Sequence, residues 1–316
     1  MTAFAMVFPG QGSQKVGMLA EIAACYPDDV KATFAKASAI LNYDLLRLVE
    51  QGPAEELNKT WQTQPALLTA SVVIWRIWQR LGGTMPMFMA GHSLGEYSAL
   101  VCAGVLDFSS AIQLVARRGM LMQKVMPTGT GAMSAIIGLD NATISAVCLQ
   151  AAQGQIVSPA NFNSPGQVVI AGHKAAVERA SIICKTAGAK HTQMLSVSVP
   201  SHCILMKPAA NKLAQMLETV HFSIPQVPVV NNVDVCAVTD PALIRQALVR
   251  QLYSPVRWTE TIEYFYAQGV ETLLEIGPGK VLTGFTKRII DTLSCMAVHD
   301  QISLATVIQD QSRKKQ

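Results

Sequence analysis

Aromatic residues make up only 6% of this 316-residue chain, and charged residues only 15%. With 50% hydrophobic residues set against so little charge, a disordered chain is excluded, because there is ample apolar side chain to bury. Long hydrophobic runs are also missing. A spanning helix needs roughly 20 mostly apolar residues in a row, and the longest charge-free stretches, such as Leu149 to His173, are broken by Gln, Asn, Ser, Pro and Gly. No membrane association is expected. The seven Cys are an odd number and form no CxxC pair, so neither a disulfide framework nor a zinc or other metal site is expected. That usage fits a reducing compartment. No Lys or Arg precedes Lys15, so the basic start of a signal peptide is lacking and the expected place is the cytoplasm. A basic stripe is missing as well. The formal charge is +4, and Arg313, Lys314 and Lys315 crowd the last residues. A nearly neutral body argues against nucleic-acid binding, and the basic tail reads as a disordered end.

At roughly 150 residues per domain, the length suggests two domains, or one with an insertion. Phe4–Phe8 reads as a buried strand running into the Gly10-Gln11-Gly12 loop. Helical patterns follow near Lys15–Cys25, Val30–Leu41 and Ala66–Leu81, the last stopped by Gly82-Gly83. Met85–Ala90 is a second apolar run. Asp107 to Ser110 caps a helix that extends to about Lys124. After Pro127 the texture changes. Strand patterns at Ala132–Leu139, Gln155–Asn161, Gln167–Ala171 and Thr192–Val199 are interleaved with helical patterns at Asn141–Ala152 and Lys174–Ala187. That order, β-α-β-β-α-β, is ferredoxin-like. Helices are then expected near Leu205–Val220, Ala242–Leu252, Trp258–Gln268 and Val281–Ile290, with strands near Val227–Val230 and Thr272–Ile276. The expected fold is α/β. A hydrolase-like domain with a parallel sheet spans 1–127 and 200–316, and a ferredoxin-like small domain is inserted at 128–199.

Gly91-His92-Ser93-Leu94-Gly95 lies between an apolar run and a helix. A G-x-S-x-G in that context is a nucleophile elbow, whose sharp turn lifts the serine hydroxyl above the sheet. The N–H of Leu94, at the helix start, is placed to donate to a developing oxyanion. Ser93 needs a base, and the chain has six His. His92 is expected to point away from Ser93 and bond within the turn. His173 reads as a capping or surface residue, and His191 and His221 read as solvated. His202 sits where the inserted domain returns to the main one, where clefts form. Position alone favours His202 only slightly over His299. Arg118 shares a helix face with Ala111, Val115 and Met122. A buried cation needs an anionic partner. That partner is either a carboxylate of the core or a carboxylate of the substrate, for which the guanidinium fork is well shaped. Cys203 reads as a buried small hydrophobe rather than a nucleophile. Gly277-Pro278-Gly279-Lys280 lacks phosphate-loop spacing and reads as a strand-to-helix turn.

Six blocks occur in order: Gly10-Gln11-Gly12-Ser13-Gln14, Gly91 to Tyr97, Arg118-Gly119, Asn161 to Gln167, Ser201-His202 and Glu275 to Gly279. Over about residues 3 to 300 the chain resembles the malonyl-CoA:acyl carrier protein transacylases of bacterial type II fatty acid synthesis, leaving the last dozen residues outside. The resemblance implies ping-pong transfer of malonyl from malonyl-CoA to the phosphopantetheine thiol of acyl carrier protein, with no cofactor. It implies a Ser93–His202 dyad, with Gln251 rather than an acid orienting the histidine. It also implies oxyanion donors at the Gln11 and Leu94 N–H groups, and Arg118 as the clamp for the substrate carboxylate. Many members place Phe before the histidine, where this chain has Ser201. In related polyketide acyltransferases a Ser there often accompanies methylmalonyl preference, whereas Leu94 after the nucleophile points to malonyl. Lys190, Lys287 and Arg288 are candidates for a basic rim facing an acidic carrier protein. Two other classes compete. One is a serine esterase or thioesterase using Ser93, His299 and Asp234 or Asp240. The other is a non-catalytic acyl-binding subunit.

Overall fold

The computed structural model describes residues 3–127, 129–197 and 199–313. The N-terminal part contains β1 (Phe4–Phe8), α1 (Ala20–Cys25), α2 (Pro27–Leu41), α3 (Leu45–Gln51), α4 (Ala54–Leu57), α5 (Thr60–Arg80), β2 (Phe88–Gly91), α6 (Gly95–Cys102) and α7 (Phe108–Lys124). The middle part contains β3 (Gly131–Ile137), α8 (Asn141–Ala152), β4 (Val157–Ser164), β5 (Gln167–His173), α9 (Lys174–Thr186) and β6 (His191–Met194). The chain ends with α10 (Lys207–Glu218), β7 (Val229–Val230), α11 (Pro241–Gln251), α12 (Trp258–Ala267), β8 (Thr272–Ile276), α13 (Val281–Ile289), β9 (Ser294–Val298) and α14 (Gln301–Arg313).

Five strands form one sheet in the order β7-β2-β1-β8-β9, with every pair parallel. The pattern of β1 explains its place at the centre. Phe4, Met6 and Phe8 join a core shared with α5 and α7, while Ala5 and Val7 join a second core under α12 and α13. A strand apolar on both faces belongs between two helical layers. Pairing of Phe8 with Gly91 puts the carboxyl ends of β1 and β2 side by side. Ligands bind at such ends in open α/β sheets.

The other sheet is antiparallel, in the order β4-β5-β3-β6, and has the ferredoxin-like topology. Alternation along β3 sends Ala132 and Ile136 into a core with α8 and α9, and Met133 to the opposite face. Pro200 packs against Gly131, so the chain leaves this unit beside the point where it entered. A seam also joins it to the rest of the molecule: Phe162 N–H donates to Val256 O (2.9 Å) and Val256 N–H to Ala160 O (2.9 Å).

Several expectations from the sequence are corrected. α5 begins at Thr60, not Ala66, and carries Pro65 inside it. Proline forfeits one helical hydrogen bond, but Pro65 and the ten residues that follow it are all buried, and that packing outweighs the loss. α3, capped by Asp44 accepting from Arg47 N–H (2.9 Å), was not anticipated. The last strand pattern is shorter than expected, His191–Met194, with Leu195 N–H still donating to Met133 O (2.9 Å). A helix not anticipated, α14, runs to Arg313 ahead of the basic end. Asp300 accepts from Ser303 N–H (2.7 Å), and Leu304 and Val307 of α14 are buried. Lys314 and Lys315 of the basic end, and Thr128 and Ser198 near the proposed domain boundaries, lie outside the described residues, as do Met1 and Thr2. Among the described residues, no helix is long and apolar enough to cross a membrane.

Candidate active site

Ser93 stands at the turn between β2 and α6 with φ at +52°, in the left-handed region. Such backbone costs about 1–3 kcal/mol in a non-glycine residue and persists only where its surroundings hold it. Two glycines make the turn possible. A Cβ on Gly91 would sit 1.8 Å from the Gly95 carbonyl carbon, and one on Gly95 would sit 2.0 Å from Phe8 O. Asn232, just past β7, holds the elbow from below. Its Oδ1 accepts from Ser93 N–H (2.7 Å), its Nδ2 donates to Gly91 O (2.7 Å), and its own N–H donates to Glu96 Oε2 (3.0 Å).

His202 Nε2 lies 2.7 Å from Ser93 Oγ, and its Nδ1 lies 2.7 Å from Gln251 O. A carbonyl only accepts, so Nδ1 carries the proton and the Nε2 lone pair faces the hydroxyl. Burial, and then the Arg118 charge, push the imidazole down to about 3, so it is a neutral base over the ordinary pH range. Its own N–H donates to Leu252 O (3.0 Å), which fixes a backbone φ of +61°. Gln251 meets the histidine through its main chain, not its amide.

Arg118 is fully buried on α7, on one face with Ala111, Val115 and Met122, which are also buried. The anionic partner expected for it is missing. Among the described residues, none of the ion pairs within 4.0 Å includes Arg118. Its Nη1 donates instead to Gln64 Oε1 (2.8 Å) and its Nη2 to Gln251 Oε1 (3.0 Å), with Nη2 3.4 Å from Ser93 Oγ. The Tyr97 ring centre lies 5.3 Å from the guanidinium carbon. A cation this deep with only neutral partners is costly, which marks the place as one awaiting an anion.

The main-chain N–H groups of Leu94 and Gln11 extend from the adjoining ends of β2 and β1, and among the described residues neither meets an acceptor. Both loops border a cavity of about 270 Å³ between the two sheets. Its roof is the open face of the antiparallel sheet, with Met133, Val169 and Leu195, while Asn161, Asn163 and Gln167 supply amides. Ser201 also lines it. His92 also reaches beyond its turn. Its Nε2 meets Asn163 Oδ1 (2.8 Å) across the cleft, and its ring lies 5.5 Å from that of Trp258.

The remaining candidates fall elsewhere. His299 is 3.3 Å from Asp300 and does not line the cavity. Asp234 pairs with Arg250, and Asp240 caps α11 through Ala242 N–H. His173 Nδ1 accepts from Ile156 N–H (2.9 Å). Cys203 is buried, with its thiol on Pro200 O (3.2 Å). The turn after β8 is ordered by Glu275, whose carboxylate accepts from Leu282 N–H (3.0 Å) and Thr283 N–H (2.7 Å). Arg288 reaches Gln167 at the cavity wall, whereas Lys190 packs on Gly138, beyond the end of β3. Lys287 is exposed on α13. Sequence reasoning gave no role to Glu96, Gln64, Asn163 or Asn232. Glu96 and Asn163 lay inside quoted motif blocks, whereas Gln64 and Asn232 carried no signal. Among the described residues no group of three or more His, Cys, Asp or Glu is arranged to hold a metal ion.

Comparison with known proteins places these features in a family. The family model for the acyl transferase domain matches residues 5–315. The chain is 67% identical over 308 residues to a malonyl CoA-acyl carrier protein transacylase of Salmonella typhimurium, covering 98% of this chain and 99% of that one. It is 44% identical over 310 residues to the Bacillus subtilis protein of the same name, covering 98% and 97%. A solved structure of a type II PKS acyl-carrier protein in complex with its malonyl-transacylase matches with TM-score 0.97 and 66% identity, covering 98% of this chain and all of that one. An acyl carrier protein S-malonyltransferase from Vibrio cholerae matches with TM-score 0.94 and 64% identity, covering 97% and 100%.

Proposed function

The chain belongs to the acyl transferase domain family, among the malonyl-CoA:acyl carrier protein transacylases, and from that premise we infer how its site performs the reaction. The protein transfers malonyl from malonyl-CoA to the phosphopantetheine thiol of acyl carrier protein through a serine-linked acyl-enzyme, supplying extender units for fatty acid synthesis. His202 Nε2 takes the Ser93 proton as Oγ attacks the thioester carbonyl. The tetrahedral oxyanion settles between the N–H groups of Gln11 and Leu94. Its collapse breaks the carbon–sulfur bond, and His202 returns the proton to the departing CoA sulfur. The carrier-protein thiol then enters, gives its proton to His202 and reverses the sequence.

Throughout, Arg118 binds the free carboxylate of the malonyl group. The observation that carries this reading is a fully buried guanidinium, 3.4 Å from the nucleophile, whose hydrogen-bond partners are neutral amides. A bidentate carboxylate would satisfy it in charge and in shape. Every proton and charge in these steps is handled by side chains and main-chain N–H groups, so the reaction as written needs no metal or redox cofactor. Seven free cysteines support a reducing compartment, and we assign the protein to the cytoplasm.

Radiolabelled malonyl-CoA tests the reading. The wild type is expected to take up label and pass it to holo acyl carrier protein, and Ser93→Ala to take up none at an unchanged melting temperature. Label retained by Ser93→Ala, or passed from the wild type only to water, would overturn it.

A further inference from the structure

Resting on that reading, we propose that Glu96 is a positioning residue for substrate selection. By holding Gln251 Nε2, it commits Gln251 Oε1 to the Arg118 guanidinium while its own carboxylate stays one amide group away from that cation.

Glu96 lies on the first turn of α6, and the residue is only 2% exposed. Its Oε2 accepts from Asn232 N–H (3.0 Å) and from Gln251 Nε2 (2.8 Å). Gln251 Nε2 gives its other proton to Ser93 O (3.0 Å). Both amide protons are therefore directed at acceptors on the elbow side. The oxygen end must face Arg118, where it accepts from Nη2 at 3.0 Å. Remove the carboxylate, and one of the two anchors of the amide is gone. A rotated amide would turn its NH2 toward the guanidinium, donor against donor.

The interposed amide also keeps charge apart from charge. A carboxylate in direct contact with Arg118 would form a buried ion pair, and the cation would have little left to offer a substrate. The titration of Glu96 fits separation. Burial raises its carboxyl to about 7, against smaller downward pulls from the Gln251 and Asn232 hydrogen bonds and from the Arg118 charge. A directly paired carboxylate would move the other way. Tyr97, the next residue along α6, supports the guanidinium with its ring, which steadies a cation without neutralising it. Arg118 is thus held and aimed, with its charge kept for the acyl carboxylate. Because the Gln251 main-chain oxygen also holds His202 Nδ1 (2.7 Å), one residue links selection to proton transfer.

The test is the ratio of kcat/KM for malonyl-CoA to that for acetyl-CoA, with melting temperatures alongside. Gln251→Glu, which adds no volume, sets a carboxyl group directly on Arg118. The ratio is expected to fall by about tenfold or more, since one decade corresponds to 1.4 kcal/mol of lost preference, and the melting temperature falls as well, because the two hydrogen bonds given by Nε2 are lost. Glu96→Ala is expected to lower the ratio similarly. Glu96→Gln is expected to rescue it to within about threefold of wild type, because an amide oxygen accepts from the same two N–H groups. If Glu96→Ala does not fold, the isosteric Gln251→Glu variant still decides. An unchanged ratio in Gln251→Glu, a parallel loss of both substrates in Glu96→Ala, or a Glu96→Gln ratio as low as that of Ala would overturn the proposal. A wild type that fails to transfer malonyl in the same assay would instead overturn the function it rests on.

Discussion

The two sheets face each other across one cavity and bring different things to it. The parallel sheet delivers from its strand ends the groups to which we assign the chemistry. Ser93 follows β2, the Gln11 loop follows β1, and Asn232 follows β7 to brace the elbow. The elbow is pinned by short hydrogen bonds to Asn232, from Ser93 N–H to Oδ1 and from Nδ2 to Gly91 O, both 2.7 Å, whereas Gln11 lies on an exposed loop. The antiparallel sheet delivers a surface: apolar side chains in alternation along β3 and β5, edged by amides. The lesson is a division between chemistry and enclosure. Parallel strands converge their ends on a point, whereas an antiparallel sheet offers one broad face, and each unit contributes what its geometry provides.

Three substitutions sharpen that division. The largest effect is expected from His202→Ala, which should slow acylation by roughly 10³-fold or more. The wild-type rate should hold steady as the pH drops through 6.5, because burial and Arg118 push the base down to about 3. The same shift fixes the sign for stability. The unfolded chain takes up a proton near 6.5 that the folded one refuses until about 3, so the stabilising contribution is complete above that window and is lost as pH falls through it. Stopped-flow acylation and melting curves from pH 4 to 8 check both. An acid limb near 6.5 would place the base in water instead.

Arg118→Ala should lower the malonyl-to-acetyl ratio by roughly 10²–10³, the equivalent of about 3–5 kcal/mol for a buried charge pair that loses one partner. Its melting temperature should stay within a few degrees of wild type, because no ion pair is broken. Equal loss of both substrates would make this residue scaffolding. The smallest change is expected across the cleft. Asn163→Ala removes the partner of His92 Nε2, costing about 1–3 kcal/mol of stability for the orphaned group and only a few-fold in acylation rate. A loss as severe as that of His202→Ala would dissolve the distinction between the two sheets.

Local pattern made some of this legible and left the rest hidden. The elbow could be read because both of its glycines lie within five residues of sequence, and their close approach is a local constraint. Ferredoxin-like order was readable for the same reason, as strand and helix periodicity changed at turn signals. Arg118 was readable as a buried cation from its helix face, but its partners were not. Gln64 and Gln251 lie 54 and 133 positions away, and nothing in a glutamine announces such a contact. Asn232, 139 positions from Ser93, was invisible on the same ground. His202 was weakly favoured by position and needed the family likeness to separate it from His299.

The contact of Pro200 with Gly131 gives the molecule a neck, and a neck has a bearing on the order of assembly. Strands β1 and β2 precede the inserted unit, and β7, β8 and β9 follow it, so the parallel sheet cannot close until the intervening chain brings its ends together. For an open loop of roughly 70 residues, closure costs about 2–3 kcal/mol more than for a linker of a few residues. Once the ferredoxin-like unit is folded, that loop has become a clip whose two ends already touch. Folding of the enclosing half would thereby lower the entropic cost of closing the parallel sheet.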